Sequence, residues 1–116
     1  MKTVRVGNKS IGDGSPCCIS FEPSAAYSDF DGAKTMIKVT ALAGADAIKF
    51  QTFLPGDAKR LMAKDSMVEF TTPSGKKEES IYEALKKREL TEDEWKELIN
   101  YSKDLGLLFI TTPVFI

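Results

Sequence analysis

An alternating segment that directly follows a helical pattern constrains the fold more than any other part of the sequence. Residues 46–53 alternate between apolar and polar side chains, which is typical of a β-strand. In the preceding residues 28–44, apolar side chains recur at helical spacing. The helix is predicted to begin near Ser28, with Asp31 at the capping distance, and to end at Gly44. A helix between two strands is typical of a parallel crossover, so the sequence predicts a parallel α/β fold.

Two further strand patterns lie before this helix. Val4 and Val6 alternate with polar residues, and Ile11 follows a glycine-containing turn, which predicts a short N-terminal hairpin. Residues 17–22 lie between two prolines and are predicted to form the first core strand, mostly buried. This strand would run beside the strand at residues 46–53.

The second half of the chain continues the alternation of strands and helices. Residues 54–77 contain two prolines and two glycines and are predicted to be a long connection that crosses a binding face. Residues 78–89 are predicted to be helical. Thr91 and Glu94 have the spacing of a capping box, so a second long helix should begin there and end at Gly106. Residues 107–112 then predict a third strand, ended by Pro113.

Composition excludes several classes of function. The 116 residues suit one unit, residues 1–116, and 16 Lys and Arg against 17 Asp and Glu give a net charge of -1. This balance argues against nucleic acid or a membrane surface as a partner. With no histidine, Ser-His-Asp catalysis and zinc sites of the usual type are not expected. Since no apolar stretch has the length of a signal peptide or a membrane span, we expect a cytoplasmic protein.

Lys49 and Gln51 are the first candidate site residues. They share one face of the predicted strand at residues 46–53, opposite the apolar Ile48 and Phe50. In a parallel barrel such a pair would point inward at the mouth, where active sites lie. An ammonium suits a carboxylate or phosphate, and an amide suits a substrate with hydroxyl groups. The alternative is an ordinary exposed strand face.

Polar residues also lie at the ends of the other two predicted strands. Glu22 ends the first strand and would project near Lys49, where it could orient a substrate or transfer a proton. Thr111 and Thr112 end the third strand, where hydroxyl groups could hold phosphate oxygens. The alternatives are an exposed carboxylate and threonines that simply favour β-structure. Together, the three strand ends predict a substrate site.

Three segments resemble one known family. Residues 43–53 read AGADAIKFQTF, residues 79–87 read ESIYEALKK, and residues 109–113 read FITTP. They resemble the sialic acid synthase (N-acetylneuraminate synthase) family, and the likeness extends from about residue 11 to residue 114. The resemblance implies a partial TIM (β/α) barrel with its first three strands and their helices, preceded by a short N-terminal hairpin. A complete barrel takes about 250 residues, so we expect the chain to represent the N-terminal part of the barrel.

The resemblance also implies a reaction and its residues. Members of the family condense phosphoenolpyruvate with an N-acetylated mannosamine-type sugar to a nonulosonic acid. By position, Glu22 and Lys49 resemble catalytic residues, with Lys49 also meeting phosphoenolpyruvate, and Gln51 resembles the sugar-contacting residue. Thr112, with Thr111 beside it, resembles the phosphate-contacting threonine. The family uses a divalent metal, Mn or Mg, whose ligands are expected outside these 116 residues, and a homo-oligomer is expected.

The sequence departs from this family in one loop. Residues 23–28 replace a loop that is usually rich in glycine, asparagine and histidine. Because of this loop, and because the family's metal ligands are expected elsewhere, the isolated 116 residues are expected to be inactive. An alternative is a degenerate, non-catalytic module that acts by self-association or partner binding. A third interpretation is another barrel enzyme that uses phosphoenolpyruvate, with an aldose phosphate as the second substrate.

Overall fold

A computed structural model of the protein describes residues 2–24 and 26–115. Residues 1, 25 and 116 of the predicted unit 1–116 lie outside these ranges. No helix in the described ranges is long and apolar enough to cross a membrane. The helices and strands follow in the order β1 (Val4–Val6), β2 (Lys9–Ile11), β3 (Ser20–Phe21), α1 (Phe30–Leu42), β4 (Ala47–Thr52), α2 (Asp57–Leu61), β5 (Met67–Thr72), β6 (Gly75–Ser80), α3 (Ile81–Lys86), α4 (Glu92–Asp104) and β7 (Leu108–Pro113).

The central sheet is parallel and has the order β3, β4, β7. Phe21 of β3 pairs with Ile48 of β4, and Gln51 of β4 pairs with Thr112 of β7. The prediction of a parallel α/β fold is confirmed. The sequence predicts that the third strand ends before Pro113. In the structure, β7 includes Pro113 as its last residue, opposite Thr52.

The first core strand is shorter and more exposed than predicted. The sequence predicts a mostly buried strand over residues 17–22, whereas β3 contains only two residues, both exposed. The prediction fails because β3 is an edge strand that pairs with β4 alone within the described sheet. The side chains of Ile19 and Phe21 are accordingly 58% and 45% exposed.

An aromatic cluster joins the sheet to the two long helices. Phe50 of β4 is fully buried, and the rings of Tyr27, Trp95 and Phe109 lie 5.4, 5.7 and 5.6 Å from its centroid. Ile37 of α1 belongs to the same core. Such ring pairs add about 0.5–1.5 kcal/mol each to the stabilisation from buried area. We call this side of the sheet, which carries Ile48, Phe50, Phe109 and Thr111, the core face.

The ends of the long helices show which caps the sequence predicts correctly. The capping box of Thr91 and Glu94 at the start of α4 is confirmed. In α1, however, the cap is Asp29 and not Ser28, because Asp29 Oδ1 accepts a hydrogen bond from the Gly32 N–H at 2.7 Å. Gly44 follows the last helical turn with a φ of +78°, a conformation that glycine adopts without strain.

The segment between β4 and α4 is more regular than predicted. The predicted long connection contains α2 and an antiparallel hairpin of β5 and β6, whose turn includes residues 73 and 74. Alternating β-favouring residues in β5 explain this hairpin. The predicted helix over residues 78–89 is only six residues long, since 78–80 pair with β5 and Ser80 caps α3.

The N-terminal hairpin is confirmed. β1 and β2 are antiparallel, with Val4 opposite Ile11. Their turn packs closely against the beginning of β7. A Cβ built on Gly7 would come within 2.6 Å of Leu108 Cδ2. Gly7 also has a φ of +58°, a left-handed conformation that glycine adopts without strain. The hairpin is thereby placed at the end of the sheet where β7 begins.

Candidate functional site

Four of the five predicted site residues lie on one face of the sheet. Lys49 and Gln51 alternate with the buried core residues of β4, and Thr112 pairs with Gln51. Glu22 directly follows Phe21, which pairs with Ile48, so Glu22 comes beside Lys49. We call the face with Glu22, Lys49, Gln51 and Thr112 the polar face. It lies opposite the core face, as the alternation in β4 predicts.

An ion pair joins the first two strands of the polar face. Lys49 Nζ lies 2.9 Å from Glu22 Oε2 and donates a hydrogen bond to it. The two side chains are 37% and 36% exposed, so both remain accessible to a ligand. The structure therefore brings together the two residues that the sequence indicates as catalytic candidates, and neither is locked into the core.

Thr111 is separated from the other four. It pairs with Phe50 of β4, so its side chain belongs to the core face. Its hydroxyl group forms a hydrogen bond with the hydroxyl of Thr52. The expectation that Thr111 and Thr112 act side by side on a phosphate does not match this placement, because adjacent residues on a strand point to opposite faces. Of the two, Thr112 is the one on the polar face.

Asp46 fixes the amino-terminal ends of the three strands that carry the site, β3, β4 and β7. Its carboxylate accepts hydrogen bonds from Lys9 Nζ at 2.6 Å and from the Ile19 N–H at 2.9 Å. These two hydrogen bonds, that of Lys9 first, hold the pKa of Asp46 below its ordinary value. The Asp46 carbonyl also accepts from the Leu108 N–H. Asp46 therefore ties the N-terminal hairpin and the starts of two strands to β4.

The carbonyl of Phe53 fixes the carboxyl-terminal end of β4. It accepts hydrogen bonds from the Leu90 N–H at 3.0 Å and from Trp95 Nε1 at 3.1 Å. Beyond it, buried Asp57 accepts a hydrogen bond from the Leu54 N–H at 2.9 Å. The roles of Asp46, Asp57 and Trp95 were not predicted. The position of Asp57, an acidic residue in the first turn of α2, is a local sequence signal for its role. The hydrogen bond from Trp95 Nε1 to the Phe53 carbonyl joins residues 42 positions apart, so no local pattern indicates it.

The loop after β3 contributes to the core. Tyr27 is buried with its ring against Phe50, and burial raises its pKa to about 12, although Arg88 acts in the opposite direction. Residue 25 of this loop lies outside the described residues. Where the resemblance implies a polar loop, the sequence thus places an aromatic anchor for α1 and β4.

Comparison with known proteins identifies the family. The sequence profile of the NeuB family matches residues 36–115. This chain belongs to the NeuB family. It is 32% identical over 98% of its length to an uncharacterized protein of Methanocaldococcus jannaschii, of which it covers 29%. It is 33% identical over 73% of its length to the N,N'-diacetyllegionaminic acid synthase of Campylobacter jejuni, of which it covers 25%.

Solved structures agree with this assignment. A crystal structure of N-acetylneuraminic acid (sialic acid) synthetase from Leptospira borgpetersenii, in complex with citrate, matches 99% of the chain with a TM-score of 0.71 and 25% identity. The spore coat polysaccharide biosynthesis protein SpsE of Bacillus subtilis matches 95% with a TM-score of 0.63 and 27% identity. The chain spans 35% and 27% of these two proteins. Recognition of the sialic acid synthase family from the sequence is confirmed.

The polar face of this NeuB-family chain suits an anionic ligand more than a metal ion. Lys49 offers ammonium hydrogens, Gln51 offers an amide, and Thr112 offers a hydroxyl. Within residues 2–24 and 26–115, no group of three or more His, Cys, Asp or Glu side chains could hold a metal ion. The described side chains therefore offer no such ligand group for the divalent metal that the resemblance implies.

Proposed function

We propose that this NeuB-family chain contributes the phosphoenolpyruvate-binding lysine to a sialic acid synthase-like transferase. The reaction would condense phosphoenolpyruvate with an N-acetylated mannosamine-type sugar. Phosphoenolpyruvate, the sugar and water would yield a nonulosonic acid and inorganic phosphate. Two relatives support this proposal by name, an N,N'-diacetyllegionaminic acid synthase and an N-acetylneuraminic acid synthetase. The observation that best supports the proposal is that Lys49 is accessible on the polar face, with its Nζ 2.9 Å from Glu22 Oε2.

Each residue of the polar face has a role in this proposal. The Lys49 ammonium anchors the acidic groups of phosphoenolpyruvate, and Thr112 donates its hydroxyl to a phosphate oxygen. Gln51, which pairs with Thr112 across the strands, binds the sugar through its amide. Holding both substrates on one face of a rigid sheet brings the enol carbon and the sugar carbonyl into reacting distance. Glu22 acts beside Lys49 in positioning or proton transfer.

The fold proposal follows from the same sheet. We propose that β3, β4 and β7 are the first three strands of a (β/α) barrel, with the polar face directed inward. In such barrels the carboxyl ends of the strands line the active site, and Glu22, Gln51 and Thr112 lie at those ends. In the part of the chain that the structure describes, the three strands leave the polar face without an opposite wall, so the 116 residues alone are proposed to be inactive.

A condensation assay on the full-length protein tests the proposed function. Phosphate release from phosphoenolpyruvate is measured with an N-acetylated mannosamine-type sugar and Mn or Mg. We expect activity in the wild type and its loss in Lys49→Ala, whereas Lys34→Ala, which removes an exposed ion pair between α1 and α4, stays active. Normal activity in Lys49→Ala would refute the role of Lys49. Release with aldose phosphates instead of N-acetylated sugars would favour a different phosphoenolpyruvate-using barrel.

One observation favours the alternative of a non-catalytic, associating module. Ile19, Phe21 and Val39 line an apolar cavity of about 240 Å³ beside the edge strand β3, and all three are exposed. Exposed apolar surface of this kind is typical of contacts with a further protein surface. Under this alternative a homo-oligomer would form through the cavity. A protein that stays monomeric at micromolar concentration would count against it.

A further inference from the structure

We propose that Glu22 is an internal placeholder that occupies Lys49 until an acidic substrate group replaces it. This inference rests on the proposed function, because it names what regulates access to the same lysine. The contact between Lys49 Nζ and Glu22 Oε2 at 2.9 Å is that of an ammonium with a bound carboxylate. Phosphoenolpyruvate brings a carboxylate and a phosphate, the two groups that such an ammonium binds.

The surroundings of the pair allow this exchange. Glu22 lies just beyond the last residue of β3, between exposed Phe21 and buried Pro23, and its side chain is 36% exposed. Among residues 2–24 and 26–115, the ion pair with Lys49 is the contact of the Glu22 carboxylate. Leaving Lys49 therefore costs Glu22 little, since water can hydrate the released carboxylate.

Electrostatics makes the exchange competitive. An ammonium has three hydrogens, so Lys49 could in principle hold Glu22 and a ligand together. A second carboxylate or a phosphate would then lie within a few ångströms of Glu22, and like charges at that distance repel. The substrate anion and the Glu22 carboxylate are therefore expected to alternate on Lys49. Glu22 acts through Lys49 and is a positioning residue in this step.

The placeholder role predicts an unusual gain of binding on mutation. In the full-length protein, Glu22→Gln should lower the Kd for phosphoenolpyruvate about two- to five-fold, the range that an accessible ion pair is worth. A residue needed only for local structure would weaken binding when replaced. Since Glu22 also acts in the reaction, kcat should not rise with the tighter binding.

Glu22→Asp is the matched control, because it keeps the charge and shortens the side chain by one methylene. If the direct contact between Glu22 and Lys49 competes with the ligand, Glu22→Asp should also lower the Kd for phosphoenolpyruvate, but by less than Glu22→Gln. If Glu22 acts only as a distant negative charge, Glu22→Asp should bind like the wild type, and the placeholder is overturned. A structure with phosphoenolpyruvate should show Lys49 Nζ on the ligand and more than about 4 Å from the Glu22 carboxylate.

Calorimetric titration of phosphoenolpyruvate into the three proteins separates the two proposals. Binding to the wild type with no tightening in Glu22→Gln leaves the proposed function intact and refutes the placeholder. No binding to the wild type refutes the proposed function, and the placeholder with it. Tighter binding in Glu22→Gln and, less strongly, in Glu22→Asp supports both.

Discussion

The two faces of β4 differ in what their side chains contact. Phe50, on the core face, is fully buried against three aromatic rings, whereas its neighbour Lys49, on the polar face, keeps 37% of its side chain exposed and contacts the Glu22 carboxylate. The same six-residue strand thus stabilises the fold with one set of alternating positions and offers binding groups with the other. Substitutions on the two faces should therefore have separable effects on stability and binding.

The largest effect is expected at the centre of the core face. Phe50→Ala removes the ring on which Tyr27, Trp95 and Phe109 pack, and should lower the free energy of unfolding by about 3–5 kcal/mol. Urea unfolding followed by circular dichroism measures the change. Gln51→Ala, one position along β4 on the polar face, is the control and should cost far less. If both variants lost the same free energy of unfolding, the division of β4 into a core face and a polar face would be contradicted.

The next largest effect is expected where the core supports the end of β4. Trp95→Phe keeps an aromatic ring but removes the hydrogen bond from Trp95 Nε1 to the Phe53 carbonyl. The Leu90 N–H still donates to that carbonyl, so we expect a loss of about 1–3 kcal/mol and not unfolding. Thermal unfolding measures it. A loss below the experimental error would show that the indole contact does not support β4.

A smaller, pH-dependent effect is expected at Asp46. Its folded pKa is lowered, so its stabilising contacts are complete above the ordinary value of 3.8 and are lost as the pH falls through the folded pKa. Asp46→Asn should lower Tm at pH 7, and the difference from the wild type should shrink below pH 3.8. Exposed Asp104→Asn is the control. A difference in Tm that does not change with pH would contradict this account.

The smallest effect on stability is expected on the polar face. Lys49→Met removes an accessible ion pair and keeps most of the side-chain volume, so the free energy of unfolding should change by less than about 0.5 kcal/mol. Chemical unfolding of the variant beside the wild type measures this. A loss as large as that of Trp95→Phe would mean that Lys49 is part of the structural framework.

The sequence predicts the parts of the fold that local patterns determine. The alternation in β4, the capping box at Thr91 and the parallel order of the strands follow from neighbouring residues, and all three agree with the structure. The burial of β3 was predicted wrongly because a short apolar run does not reveal whether a neighbour covers it. The hairpin of β5 and β6 was missed because prolines and glycines in residues 54–77 obscure a two-residue period.

The candidate site was predictable to a similar extent. Alternation along a strand places Lys49 with Gln51, and strand ends in a parallel sheet bring Glu22 and Thr112 to the same side. The period of two also separates Thr111 from Thr112, which the sequence interpretation overlooked. The supports of the site were beyond prediction, since Lys9 and Asp46 are 37 residues apart and Phe53 and Trp95 are 42 apart.

The most direct test of the central claim is the affinity of the full-length protein for phosphoenolpyruvate before and after Lys49→Met. Because the polar face binds the anion and the core face maintains the fold, the variant should unfold like the wild type. Its Kd for phosphoenolpyruvate should rise at least about ten-fold, the loss expected for a charge-assisted contact. An unchanged Kd in a normally folded variant would contradict the claim that the polar face is the substrate site.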